Sequence, residues 1–307
     1  MLFRSEVFRP GHRQPILLAR NSQALYLMQR VRDEAHRFAV TFHQQVRAKR
    51  QVGSRLDHID GVGPKRKKAL MVRFGSLAGI RTAESLRAQG FEGEIVLAGD
   101  ELHRPYDRPP LSKEFLLGGR EPDDLRLDAT APADLTWRLG SPATALDPER
   151  RVVTFADGGQ ETYDRLVLAC GTTPIVPAGL DVGLDGVHLL RTLDDAAALR
   201  SDLDAGPRHV VVLGAGFIGA ELASTCRARG LAVTLVDASP LPLARPLGAE
   251  VAGRLLDLHR ADGVDFRLGV AASSLTAEAG RVTGLELADG THLAADLVVV
   301  AIGVRPA

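Results

Sequence analysis

The 307 residues, 45% apolar and 25% charged, are enough for about two ordinary domains and exclude a wholly disordered chain. Equal numbers of basic and acidic side chains, 38 of each, hide an asymmetry: residues 1–82 hold 17 Lys and Arg against 5 Asp and Glu, whereas residues 83–307 hold 21 against 33. A cationic surface attracts polyanions, and an acidic stretch rich in glycine turns and Val/Ile/Leu runs is typical of a soluble enzyme, so two unlike modules are expected. The longest apolar run, Leu297 to Val304, is too short to cross a bilayer, and Met1 to Pro15 lacks the apolar core of a signal peptide. No membrane partner is expected, and the expected location is cytoplasmic. The only cysteines, Cys170 and Cys226, form no Cys-x-x-Cys motif, which argues against dithiol chemistry.

From Asn21-Ser22, a helix N-cap pair, Leu27, Val31, Ala35, Phe38 and Phe42 recur at helical spacing with arginines between them, predicting a basic amphipathic helix. Further on, Gly61-Val62-Gly63-Pro64 leads into Lys65-Arg66-Lys67-Lys68, a glycine turn opening a new helix in the helix-hairpin-helix pattern. Gly61 and Gly63 would let the backbone approach a phosphate, the first helical amides would point at it, and Lys65, Arg66, Lys67 and Lys68 would neutralise its neighbours, binding DNA without reading bases. The plainer alternative is an ordinary turn before a solvated basic helix face.

With Arg20 to Leu27 and Arg32 to Ala39, this turn makes about residues 7–80 similar to the C-terminal part of UvrC, the incision subunit of the bacterial excision nuclease. The resemblance implies DNA binding and makes His36 the counterpart of a nuclease metal-site histidine. Its carboxylate partners would lie upstream, where this chain has almost none, so neither nuclease activity nor a bound metal is expected.

In the acidic part, Glu94 to Gly99 reads as a strand and Pro105 to Lys113 as a proline-locked loop carrying one lysine. Arg151 to Phe155 and Tyr163 to Ala169 flank the hairpin signal Asp157-Gly158-Gly159, and the turn Cys170 to Pro174 follows. The strongest chemical signal is Arg208 to Glu221, an apolar strand feeding Gly214-x-Gly216-x-x-Gly219 and a helix. Gly214 permits the tight turn, Gly216 lets a pyrophosphate approach, and Gly219 allows close helix packing. The next strand, Ala232 to Val236, ends in Asp237, a ribose-binding carboxylate that favours NADH over NADPH, with Arg245 downstream leaving the choice open. Strand Val264 to Leu268, a hairpin over Val282 to Thr291, and strand Leu297 to Ala301 before Gly303 complete the pattern.

Ser76-Leu77-Ala78-Gly79, Gly99-Asp100-Glu101, Pro109-Pro110-Leu111-Ser112-Lys113, Leu166 to Pro174, the Gly214 fingerprint and Val300 to Gly303 make residues 76–307 resemble the FAD-dependent ferredoxin reductases of the pyridine nucleotide-disulfide oxidoreductase class. The resemblance implies that Ala78, Asp100, Lys113 and Ala143 line FAD, with Lys113 near the reactive ring. It also implies that Glu221 and Gly303 border the nicotinamide of NAD, making Lys113 and Glu221 the catalytic candidates. The implied reaction passes hydride from NADH to FAD and then single electrons to a ferredoxin.

The expected fold is α/β. A helical helix-hairpin-helix segment (1–80) precedes a partial FAD-binding domain (81–175) and a Rossmann-like NAD-binding domain (176–307). Three departures accompany the resemblance. Phe74 stands at the first glycine of the flavin fingerprint, Ala69 to Arg73 would bury an unpaired arginine as the family's strand and suits the hairpin's second helix, and Thr173 replaces a phosphate-directed arginine. The family's returning flavin segment is expected after Ala307. The expectation is therefore a chimera of two truncated parts, an FAD/NADH oxidoreductase impaired in flavin binding, with a DNA-binding fragment as the alternative.

Overall fold

The computed structural model describes residues 6–7, 16–17, 68–72, 76–128 and 131–307. The chain divides into two units, Met1–Val62 and Gly63–Ala307. In the first, β1 (Glu6–Val7) pairs antiparallel with β2 (Ile16–Leu17). The helix expected from Asn21, His36, and the hairpin residues Gly61, Gly63, Lys65, Arg66 and Lys67 lie outside the described residues.

The second unit begins with β3 (Lys68–Val72), which corrects the expectation of a second hairpin helix there. Lys68 opens this strand, and Val72 stands opposite both Ala98 and Leu168 in two parallel ladders. Lys, Ala, Leu and Met are good helix formers, but a difference of a few tenths of a kcal/mol per residue is small beside hydrogen-bonded pairing on both edges.

From β3 the chain continues through α1 (Ser76–Ala88), β4 (Glu94–Ala98) and β5 (Thr136–Arg138). An antiparallel trio follows, β6 (Ala143–Asp147), β7 (Val152–Phe155) and β8 (Gln160–Thr162), and the chain returns beside β3 as β9 (Arg165–Leu168). The parallel sheet has the order β5-β4-β3-β9. After β10 (Thr172–Pro174), β11 (Val187–Leu189) and α2 (Leu193–Asp204), the same plan repeats. It runs through β12 (His209–Leu213), α3 (Phe217–Ala228), β13 (Ala232–Asp237), α4 (Ala244–Leu247), α5 (Ala249–Ala261) and β14 (Val264–Leu268). Next come the antiparallel trio β15 (Ala272–Glu278), β16 (Arg281–Leu287) and β17 (His292–Ala294), then β18 (Leu297–Val300) and β19 (Val304–Pro306). The second parallel sheet has the order β11-β18-β12-β13-β14, with the return strand β18 beside β12 as β9 lies beside β3.

The central strands β12 and β4 are buried on two faces. Along β12, Val210 and Val212 enter one core with Leu222, Ala223 and Cys226 of α3, while Val211 and Leu213 enter another with Leu285 and Leu287 of β16. In β4, Ile95 and Leu97 pack with Ile80 and Ala83 of α1, and Val96 and Ala98 with Val153 and Phe155 of β7. Side chains alternate across a strand, so continuous apolar runs are what a doubly covered parallel sheet requires. Only the strand ends remain open to ligands.

Native-state hydrogen exchange tests the β3 assignment. The amides of Leu70 to Val72 should be protected as strongly as those of Val96 to Ala98, because one ladder holds both. Leu70→Pro should erase protection over Glu94–Ala98 and Arg165–Leu168 together and cost about 2 kcal/mol or more, since a central strand cannot spare a donor. Loss of protection confined to residues near 70 would contradict the central placement.

Candidate functional site

Dinucleotides bind at the carboxyl edge of such sheets, where neighbouring connections diverge. In the second sheet that point lies between β12 and β18. Gly214 follows β12 at φ +96°, where a Cβ would sit 2.5 Å from the Ala301 carbonyl oxygen. Gly219, buried in α3, approaches the Gly214 backbone so closely that a Cβ there would overlap the Gly214 carbonyl. Gly216 differs: its φ is −72° and a Cβ would meet nothing within 4 Å. Its missing side chain is therefore no packing requirement. It leaves open space where the first amides of α3, lacking acceptors in the helix, can meet a phosphate.

A cavity of about 570 Å³ opens at this edge, lined by Gly214, Gly216, Asp237, Val270, Ile302 and Gly303 among others. Gly303, at φ +123°, accepts a hydrogen bond from the Ile175 amide at 2.9 Å, tying the turn after β18 to the segment after β10. Asp237, the last residue of β13, accepts from the Ala215 amide through Oδ2 and from the Ser239 amide through Oδ1, both at 2.7 Å. The carboxylate thus closes the glycine loop onto the sheet and keeps lone pairs for ribose hydroxyls. Sequence reasoning singled out the acid but not its closure of the loop. Arg245 is exposed on α4 and does not line the cavity.

Lys113 and Glu221 also lie outside that lining, yet the structure brings them together from opposite halves of the unit. The 3-10 turn Pro109–Ser112 ends at Lys113, whose Nζ lies 2.9 Å from Glu221 Oε2 on α3. The same carboxylate oxygen accepts the Ser112 hydroxyl at 2.5 Å, and Thr225 donates its hydroxyl to the Ser112 carbonyl at 2.7 Å. Lys113 and Glu221 are 37% and 39% exposed, so solvent screening leaves the pair only about 0–1 kcal/mol by itself.

The loop bearing Lys113 has a second anchor. Glu101 accepts from the Tyr106 hydroxyl and pairs with Arg108 at 2.5 Å, Arg108 also donates to the Arg191 carbonyl, and the Leu193 amide donates to the Tyr106 oxygen at 2.8 Å. Burial, reinforced by the Glu101 hydrogen bond, raises the Tyr106 phenol well above its ordinary range, so it stays a donor.

At the carboxyl edge of the first sheet, Ala78 is the third residue of α1, exposed, and Asp100 follows β4 by two positions. Ala143, half-buried, opens β6 after a segment laced to β4's end: the Gly99 amide donates to Arg138, Ser141 to Gly99, and Gly140 to Glu101. Strand register shows that Asp100 is not the exact counterpart of Asp237. Val72 stands opposite Ala98 and Leu213 opposite Val236. Asp237 directly follows Val236, whereas Asp100 follows Ala98 by two. Ala78 and Asp100 thus both stand at the carboxyl edge of the first sheet, the edge that fits a dinucleotide in this layout, while Phe74 lies outside the described residues. Thr173 in β10 lies opposite Arg305 of β19.

Of the two thiols, Cys226 is buried and pushed by that burial up to about 11, while Cys170 is half-buried, and both are free. No cluster of metal-binding side chains occurs among the described residues, and no helix among them is long and apolar enough to cross a membrane.

Two parallel sheets, each presenting an acid at or just beyond the end of its second strand, with a glycine-lined cavity at one edge and a Lys-Glu contact between the halves, define an α/β protein of the dinucleotide-binding class. Residues 75–307 match the pyridine nucleotide-disulphide oxidoreductase family, and the chain belongs to it. It is similar to rhodocoxin reductase of Rhodococcus erythropolis, at 39% identity over 232 residues, 75% of this chain and 54% of that protein. It is also similar to the ferredoxin–NAD(+) reductase component of the p-cumate 2,3-dioxygenase system of Pseudomonas putida, at 40% identity over 75% of this chain and 56% of that one. Among solved structures, the covalent putidaredoxin reductase–putidaredoxin complex superimposes with a TM-score of 0.74 at 36% identity, covering 78% of this chain and 59% of that one. The chain thus spans a little over half the length of these relatives. A separate short match, residues 3–40, is to the UvrC RNAse H endonuclease domain.

The glycine assignments can be separated by mutation. Gly216→Val should keep the thermal midpoint within a few degrees and abolish saturable enhancement of NADH fluorescence. Gly219→Val should instead unfold the second sheet, because its side chain would strike backbone. Equal loss of fold in both variants would contradict the open face at Gly216.

Proposed function

We propose that residues 76–307 form an NADH- and FAD-dependent reductase module serving an iron–sulfur protein of the ferredoxin type. The observation that carries this reading is the Lys113–Glu221 contact at 2.9 Å, which joins the proline-locked loop of one dinucleotide-type half to the cavity helix of the other. Kinship with ferredoxin reductases of dioxygenase systems supports the same reading. Bound FAD would supply the change from two-electron to one-electron transfer, so that NADH and two oxidised ferredoxins give NAD⁺, a proton and two reduced ferredoxins.

The chain's own residues would bind and orient. Gly216 and the first amides of α3 would hold the NADH pyrophosphate, Asp237 its adenosine ribose, and Gly303 would border the nicotinamide. Ala78, Asp100 and Ala143 would line FAD at the first sheet's edge. Lys113 would hold positive charge beside the flavin ring, and Glu221 would balance that charge. No side chain need act as a nucleophile.

Visible absorbance after incubation with FAD and desalting tests this reading. Retained flavin bands that bleach with NADH are expected. Phe74→Gly should tighten FAD binding about tenfold if the aromatic ring obstructs the position that Gly214 serves in the other half. Colourless protein in both wild type and variant would reject the flavin assignment.

The excess of 17 basic over 5 acidic residues in 1–82, together with the match at residues 3–40, favours a second activity for the basic segment, nonspecific DNA binding. Duplex affinity should fall roughly tenfold or more between 50 and 200 mM salt. It should also fall in Lys65→Ala/Arg66→Ala/Lys67→Ala. Insensitivity to both would remove this activity.

A further inference from the structure

Lys113 is the sole lysine between residues 69 and 307, where every other fixed cation is arginine. Its contact with Glu221 is half-exposed, and two flexible side chains screened by water do not by themselves hold one geometry. Ser112 supplies a further constraint. It is 5% exposed, and its hydroxyl donates to Glu221 Oε2, the oxygen that Lys113 approaches. Its carbonyl accepts from Thr225, one helical turn beyond Glu221 on α3. One buried residue therefore grips two successive turns of the cavity helix, through its backbone at Thr225 and its hydroxyl at Glu221.

We propose that Ser112 is the positioning residue that fixes the Glu221 carboxylate toward Lys113, and so sets where the lysine charge is held. The assignment rests on the reductase reading only for its catalytic consequence, because the contact itself belongs to the polypeptide. Ser112→Ala is nearly isosteric and keeps the carbonyl that Thr225 binds, so it deletes the carboxylate contact while leaving the backbone grip. Ser112→Thr keeps the hydroxyl.

The test uses the full chain, reductively ¹³C-dimethylated, with the Lys113 signal identified by its loss in Lys113→Arg; the chain has five lysines in all. Ser112→Ala should move the Lys113 signal toward the position of an unpaired lysine, as Glu221→Gln does, and the double variant should move it no further. Ser112→Thr should keep the wild-type position. A signal unmoved by Ser112→Ala, or movements that add in the double variant, would overturn the proposal.

With FAD bound, Ser112→Ala should lower kcat for NADH-driven ferricyanide reduction about tenfold, leave KM for NADH within twofold, and be rescued by Thr. A raised KM at unchanged kcat would overturn the catalytic consequence. Failure of the wild-type chain to hold FAD would sink the reductase reading while the lysine signals still decide the role of Ser112.

Discussion

A parallel strand bonded on both edges and covered on both faces has nothing left to offer a ligand except its ends, and the chemistry of this chain follows from that constraint. Val210 and Val212 turn to helices, Val211 and Leu213 to an antiparallel trio, and β4 divides its side chains in the same way. Each half is therefore three layers deep with an open carboxyl edge. The segments leaving the two return strands then pair with each other, β10 against β19, so the two edges are tied by a short ribbon. Burial of each Val or Leu in these layers contributes about 1.5–3 kcal/mol relative to exposure, which makes the frame rigid enough to hold polar groups at its edges.

Those polar groups are held by more than charge. Tyr106, Glu101, Arg108 and the amide of Leu193 form a connected set that fastens the loop of the first half to the start of α2 in the second. Each bond alone is worth about 1 kcal/mol, but a buried phenol left without a partner would cost more than the bond gains. These bonds fasten the loop that ends at Lys113 at its other end. Burial separates the Lys113–Glu221 contact, which water weakens, from the buried serine and threonine beside it.

The three glycines of the second half show how one motif mixes two demands. Gly214 and Gly219 are required by the fold, since a Cβ on either would strike backbone, whereas a Cβ on Gly216 would meet only open space. The first half repeats the strand layout, β4 and β9 flanking β3 as β13 and β18 flank β12. The chain thus joins a symmetrical architecture to asymmetric edge chemistry, beside a basic segment of different kinship.

Much of this was legible in the residues. The apolar run before Gly214, the glycine spacing and Asp237 identify a strand, a turn, a helix and an acidic stop because each carries a local backbone or charge requirement. The turn at Asp157 to Gly159 is legible for the same reason, with Gly158 at φ +80°, but its second arm is Gln160–Thr162, and the expected arm Tyr163 to Ala169 instead supplies β9 of the parallel sheet, because pairing with β3 is a long-range choice. The box at the start of α2 was legible in principle, since Thr192 and Asp195 cap each other there. The segment Lys68 to Val72 was not: its five residues favour helix locally, and only pairing with β4 and β9, supplied by residues 26 and more positions away, makes it a strand. Nor could the grip of Ser112 on Glu221 be read, because those residues are 109 positions apart and their contact depends on how a proline turn packs against a helix. Sequence alone determined the elements whose signals are local. Tertiary structure decided the central strand and the side-chain contacts between halves, because burial and long-range hydrogen bonds outweigh the small intrinsic preferences of a few residues.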